Sequence, residues 1–499
     1  TLNSIVIACI LLPLTLGGAV RTWTGGVSAN WSDGGNWFEG VAPTTDDTVI
    51  IPTGVWVTAG YAPEHLDIAS LKLDRLVFSN DIASFTLDGY PFTVNMINGL
   101  NDKGSRITNT IMQNVAMSNN VAWTVNIQHM LILRGVISEA IPNWVFAAYG
   151  NGRILFANKN TFSGGCRNDQ TMLIVYHDQG FGVAPATPNT NYFRTSNGSW
   201  QIMTTTRMAR VVVDKNRGMQ STGTAVIFPG ANTKVTYNGV IEDGGAIKNA
   251  SFVGGGVAAG GDTAQGIITL GASNTFSGNC AVGGGNAMVI MDSDSALGLH
   301  SVGKVVLLYS TVDLNGHDLL RDLSSNNGQG YRSIGMLRNR NTQVAARVTG
   351  NWKIGSTSGI LFGGPGDIIY TGALSGNNPV AKGGSGVLTF TGTNSFIGNI
   401  TIRGGGFVLD YREHNYSKVS TTNRTLYLAN AALTCFGNNA APFTETILDL
   451  DASSEVNRSA GANSVRIVSG TNQNFCLATR SIVVGLNDEM DIELVNQGS

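Results

Sequence analysis

The chain has 499 residues, of which 64 are Gly and only 13% are charged, and its formal net charge is −2. Its Lys and Arg are scattered without the basic stripe that a phosphate backbone requires, so nucleic acid is not an expected partner. Short runs of Val, Ile, Leu, Thr and Phe bounded by Gly and Asn recur throughout, whereas long helical repeats of Ala, Glu, Lys and Leu are missing beyond the first twenty residues. This composition predicts an all-β fold.

The N-terminal run Ile5–Ala19 is mostly apolar and is interrupted by Pro13. It is shorter than the about 20 residues of a membrane span, and its β-branched residues and Pro13 disfavour a long regular helix. Three readings stand: insertion into a neighbouring subunit as a helix or donated strand, a retained signal or membrane anchor, and an intramolecular cap. Under the first, Ile5, Val6, Ile7, Ile10, Leu11, Leu12 and Leu14 form the assembly contact, and copies of this chain are the expected partner. Next, Trp23, Trp31 and Trp37 with Phe38 and Tyr61 make an aromatic cluster. It serves either as a rim that stacks on sugars or a subunit, or as a plug that buries the open end of the fold.

Internal repetition is the strongest signal. Three segments align without gaps: Gly152 to Gly164, Gly266 to Gly278 and Gly386 to Gly398. In each, a Gly (Gly152, Gly266, Gly386) precedes an Asn (Asn160, Asn274, Asn394) by eight residues, and a Phe (Phe162, Phe276, Phe396) follows that Asn by two. Each copy is preceded by a shared phrase, Leu133-Arg-Gly135-Val-Ile137, Tyr237-Asn-Gly239-Val-Ile241 or Tyr370-Thr-Gly372-Ala-Leu374. Gly at fixed offsets predicts corners with positive φ. The recurring Asn predicts a ladder inside the coil or a side-chain cap on a turn. The recurring Phe predicts a core stack, because strand side chains alternate with period two.

These phrases resemble the autotransporter-associated β-strand repeats of bacterial surface-protein passenger regions, over roughly residues 130 to 450. The segment from Trp23 to Pro52 resembles the opening that often precedes them. The resemblance implies a right-handed parallel β-helix, that is, a β-solenoid, at the cell surface or secreted. With about 20 to 25 residues per rung and strands about 4.8 Å apart, such a body is a spacer on the order of 100 Å long. The expected organisation is an apolar segment at 1–20, an N-terminal cap and first rungs at 21–130, and a solenoid at 131–470 closed by a C-terminal cap at 471–499. The solenoid divides into repeat units at 131–234, 235–367 and 368–470. The tail lacks the set of alternating strands that a terminal membrane barrel needs, so self-translocation is not expected.

Parallel β-helices also carry polysaccharide-degrading sites, which need two carboxylates about 5 to 10 Å apart. The candidates are Asp292 with Asp294, Asp313 with Asp318, and Asp449 with Asp451, whose spacing permits a shared face but also fits turns. His300 and His317 have no partner at metal-site spacing; Asp46-Asp47 and Asp292-Ser-Asp294 offer calcium ligands but lack the repeated nonapeptide pattern, and read first as polar turns. The five cysteines, Cys9, Cys166, Cys280, Cys435 and Cys476, form no close pair and read as unpaired thiols. No catalytic residue, cofactor or metal is expected. The leading expectation is a non-enzymatic extracellular subunit of a fibre, filament or layer. Behind it stand an anchored adhesin that binds surface carbohydrate, and then a β-helical polysaccharide-degrading enzyme or tailspike.

Overall fold

The computed structural model describes residues 18–53, 63–100, 106–120, 123–196, 199–202, 210–229, 233–245, 249–253, 266–283, 287–299, 302–328, 330–355, 359–419, 424–453, 462–471, 473–485 and 489–496. The apolar residues from Ile5 to Leu14, with Cys9, Tyr61 and His300, lie outside them. The fold is all-β, 52% strand and 2% helical, with parallel strands stacked as coils of a β-solenoid of about 17 turns. The chain divides into two compact units, Thr1–Arg153 and Ile154–Ser499.

In the first unit, one sheet stacks Val20–Thr22, Asp47–Ile51, Lys72–Phe78, Phe92–Gly99, Trp123–Val125 and Phe146–Tyr149. A second stacks Glu64–Leu66, Thr86–Gly89, Ile107–Ile111 and His129–Leu133. Alternation decides which residues point inward: Val49 and Ile51 are fully buried while Ile50 between them is only half-buried. The register then stacks inward positions on inward positions. Ile111 lies under Leu133, and Asn109 lies under Leu131 with its amide 2.8 Å from Asn80 and 2.5 Å from Nε2 of His129. Burial pushes the His129 pKa down to about 4, which keeps the ring neutral.

The three early tryptophans belong to this core. Trp37 sits edge-on to Trp23 and Trp31 at centroid distances of 5.0 and 5.4 Å, Phe85 lies 6.5 Å from Trp23, and the Trp37 indole N–H donates to the Trp31 carbonyl at 2.8 Å. The three tryptophans are therefore buried in the core and present no open aromatic rim. Phe38, 81% exposed, stays outside that core.

In the second unit, three sheets run side by side along successive coils. One holds Cys166–Asp169, Asn189–Ser196, Arg217–Ser221 and Ile241–Asp243; another runs from Met172–Val175 to Leu374–Ser375; the third runs from Arg210–Val213 to Glu489–Val495. Partners are 20 residues apart at Val380–Ile400 and 32 apart at Ala432–Ser464. Coil length thus varies more widely than the 20 to 25 expected, because connections of different length leave the ladders intact. One core row reads Val348, Tyr370, Phe390, Leu409, Cys435, all buried in consecutive coils. Each large apolar side chain taken out of water in this way contributes about 1.5–3 kcal/mol. The strands Phe475–Val484 and Glu489–Val495 continue the stack in parallel on Phe443–Ala452 and Ala462–Val468. The thiols of Cys166, Cys280 and Cys435 are free and buried, and Cys476 is free and exposed.

Glu64 is an exception to the apolar interior of the first unit. Its side chain is buried, Oε2 has no hydrogen bond among the described residues, and burial raises its pKa to about 7. A carboxyl whose folded-state pKa is raised destabilises the fold as pH climbs from its ordinary value through about 7, by about 3 kcal/mol once it is ionised. Glu64→Gln is therefore expected to melt at a higher temperature than the parent at pH 8 and within a degree or two of it at pH 4. Thermal unfolding at both pH values checks this. An equal effect at both would show that Glu64 is not held neutral.

Candidate functional site

Every copy of the repeat uses its Asn in the same way. The Asn160 amide donates to the Gly180 carbonyl at 2.6 Å, Asn274 to Ala296 at 2.6 Å and Asn394 to Lys418 at 2.7 Å. The backbone N–H of each Asn also donates to the residue before its target, Gln179, Ser295 or Ser417. In the second and third copies the side-chain oxygen accepts from the shared phrase, at 2.8 Å from Ile241 N–H and 2.9 Å from Leu374 N–H. The Asn does not stack into a ladder. It is a bracket between the strand one coil back and a loop one coil ahead, and it satisfies buried backbone groups that would otherwise cost about 1–3 kcal/mol each.

The repeat glycines answer to space. Gly152, Gly266 and Gly386 do not have positive φ, contrary to the expectation of positive-φ corners; the positive values fall on neighbours such as Gly150 and Gly384. A Cβ on Gly152 would lie 2.4 Å from the Asn126 oxygen, on Gly266 2.2 Å from the Pro229 ring, and on Gly386 2.3 Å from the Gly366 oxygen. The phrase glycines are tighter still, at 1.9 Å from the Arg217 oxygen for Gly239 and 2.1 Å from the Gly350 oxygen for Gly372. The phrase tyrosines reach the same carbonyls: Tyr237 Oη donates to Arg217 O at 3.0 Å and Tyr370 Oη to Gly350 O at 3.1 Å. Phe162, Phe276 and Phe396 are buried core residues, as their period predicts.

Two buried arginines complete the bracket, and sequence reasoning missed both. Arg217 donates to Gly182 O at 2.6 Å and pairs with Asp178 at 3.0 Å; Arg321 donates to the carbonyls of Leu297 and Gly278 and lies over the Phe276 ring. Gly182, the target of Arg217, and Gly298, which follows the Arg321 target Leu297, share the same left-handed backbone, φ 88° and 87°, against Phe162 and Phe276. A single Arg has no periodicity, and only the equivalence of the two glycines links the pair.

The proposed carboxylate pairs are taken up locally. Asp313 is fully buried and accepts from Arg340 Nε at 2.8 Å, from Arg340 N–H at 3.1 Å and from Asn315 N–H at 3.2 Å. Asp318 accepts from Arg347 N–H at 2.8 Å. Asp294 meets His317 Nδ1 at 3.2 Å and Asp318 N–H at 3.0 Å, while Asp292 beside it is exposed. Asp449 pairs with Arg480 and Ser481, and Asp451 accepts from Ser453. Asp47 accepts from Ala19 and Thr44 N–H groups and pairs with Arg21, and Asp46 pairs with Lys72. Among the described residues no group of three or more His, Cys, Asp or Glu is placed to hold a metal ion, and no helix is long and apolar enough to cross a membrane.

A polar groove of about 1060 Å³ opens on the second unit. Its floor is two outward rows of one sheet: Arg347, Ile369, Thr389 and Val408 in register, and beside them Thr371, Thr391 and Asp410. Its wall is the loop from Tyr411 to Val419 with Arg412, Glu413, His414 and Tyr416 facing the space. That loop is held from below. Asn394 holds Lys418, Lys418 Nζ donates to Thr391 O at 2.6 Å, Glu445 accepts from Tyr411 Oη and from Ser417 Oγ, and Asn438 donates to Tyr411 O at 2.9 Å. Burial acts to raise the Asp410 pKa, but hydrogen bonds from Arg412 outweigh it and hold the carboxylate below its usual range.

No family model, curated protein or solved structure matches this chain. The Asn bracket offers a direct check: Asn274→Ala is expected to lose about 3 kcal/mol through two unsatisfied backbone groups. Denaturant unfolding reads the loss, and amide exchange at Ile241 is expected to accelerate. A cost below about 0.5 kcal/mol would show that the bracket contributes nothing beyond ordinary surface contacts.

Proposed function

We propose that this chain is an extracellular, non-enzymatic structural subunit of a surface fibre, filament or layer, and that copies join through the apolar N-terminal segment around Ile5, Val6, Ile7, Ile10, Leu11, Leu12 and Leu14. The observation that supports this reading is the use made of polar side chains. Asn160, Asn274, Asn394, Arg217, Arg321 and Asp313 hold the backbone or ion partners of neighbouring coils. A body braced coil to coil in this way resists separation of its turns, which suits a load-bearing or spacing role. The low charge and the resemblance to passenger repeats point to the same cell-surface or secreted setting.

A second reading, an anchored adhesin or carbohydrate-binding passenger, is favoured by the groove beside Tyr416. A polysaccharide-degrading enzyme or tailspike ranks below both, since the candidate carboxylates are engaged in turns and ion pairs.

Negative-stain electron microscopy of the intact chain against a chain lacking residues 1–19 separates the first two. Regular filaments or sheets from the intact chain, with single particles from the shortened one, are the expected outcome. Single particles from both would remove the assembly role of the segment and leave the adhesin reading in front.

A further inference from the structure

The groove in the third repeat unit recurs in the second. There a space of about 500 Å³ is lined by Ser273, Asp292, Ser293, Asp294 and His317. Ser273 and Thr393 occupy the same place in the repeat, one residue before the bracketing Asn, and both line their groove. The loop that each Asn holds, through Ala296 or Lys418, supplies the wall in both cases. The fold has thus built a polar groove at one position of the coil twice, on different side chains, with the larger version in the third unit.

The chemistry of the larger groove is specific in three respects. Its floor alternates apolar and hydroxyl groups, Ile369 and Val408 against Thr389 and Thr391, all half-buried, and the hydroxyls of Thr389 and Thr391 have no hydrogen-bond partner among the described residues. The wall presents Tyr416, 59% exposed, with the His414 ring 6.2 Å away and inclined by 32°, so a flat aromatic face is open to the groove. The charges cancel. Asp410 and Arg412 neutralise each other at 2.6 Å, and the remaining Arg347 and Glu413, neither in an ion pair among the described residues, are one of each sign.

An amphipathic ligand with C–H faces for an aromatic ring and many hydroxyls for Thr, Arg and Glu matches this lining, whereas a strongly charged one gains no net attraction. We propose that the groove between the Arg347–Val408 row and the Glu413–Tyr416 loop binds a neutral oligosaccharide, with Tyr416 stacking on a sugar ring and the threonine hydroxyls and Arg347 fixing its hydroxyl groups. The site needs only the folded second unit, so it stands or falls separately from polymer formation.

The test is calorimetric titration of the full chain with maltohexaose, cellohexaose, laminarihexaose and hexagalacturonate. At least one neutral hexasaccharide is expected to bind saturably, with a Kd on the order of 1 mM or below, and more tightly than hexagalacturonate. Tyr416→Ala is expected to weaken that binding about tenfold, the equivalent of losing one ring stack. Thr389→Val, equal in shape, is expected to weaken it several-fold, with an unchanged circular dichroism spectrum for both variants. Absence of binding by all three neutral probes, tighter binding of hexagalacturonate, or wild-type binding by both variants would each overturn the proposal.

Discussion

Everything in this molecule depends on each coil landing in parallel register on the one before it. Strands about 4.8 Å apart satisfy their backbone groups only with the neighbouring coil, so every inward position is fixed by the residue beneath it. Val348, Tyr370, Phe390, Leu409 and Cys435 form one such file, and Ile369, Thr389 and Val408 form the file on the opposite face of the same strands. A slip of one residue would exchange the two and expose the aromatic file to water.

That constraint explains why the repeat is written in Gly, Asn, Phe and Tyr. Where the chain turns, the next coil comes so close that a Cβ at Gly239 or Gly372 would meet the carbonyl oxygen of the previous coil. The same carbonyls receive the hydroxyls of Tyr237 and Tyr370, which approach from the core side. The turn also leaves a strand N–H and a loop carbonyl without ladder partners, and a single Asn amide, donor and acceptor together, reaches both. Phe two residues later faces the same interior and fills it. Buried Arg217 and Arg321 meet the remaining carbonyls, and the Arg321 guanidinium beside Cys280 only partly offsets the burial that pushes that thiol up to about 12. Such a thiol is a small apolar filler and a poor nucleophile.

The fold class and the recurring core Phe were legible in the sequence because both are periodic. The bracketing Asn was legible as a special position, but between a ladder and a turn cap the spacing could not choose; only the positions of Ile241 and Ala296 relative to Asn274 decide it. The glycines were found for the wrong reason: offset alone does not distinguish positive φ from lack of room. Arg217 and Arg321 left no signal, since their spacing to the glycines they grip differs between copies. The groove was illegible because Arg347, Thr389 and Glu413 meet only once the coil register is known. The apolar segment from Ile5 to Leu14 was prominent in the sequence and lies outside the described residues.

The central claim, that repeat glycines mark where one coil presses on the carbonyl of the last, is tested most directly by comparing Gly372→Ala with Gly383→Ala. Neither position has positive φ, yet a Cβ at Gly372 would sit 2.1 Å from the Gly350 oxygen, whereas at Gly383 it would meet only the Leu361 side chain at 3.7 Å. Equilibrium unfolding of the two variants should show a loss of about 3 kcal/mol or more for Gly372→Ala and a change within about 0.5 kcal/mol for Gly383→Ala. Equal stabilities for the two variants would contradict the account.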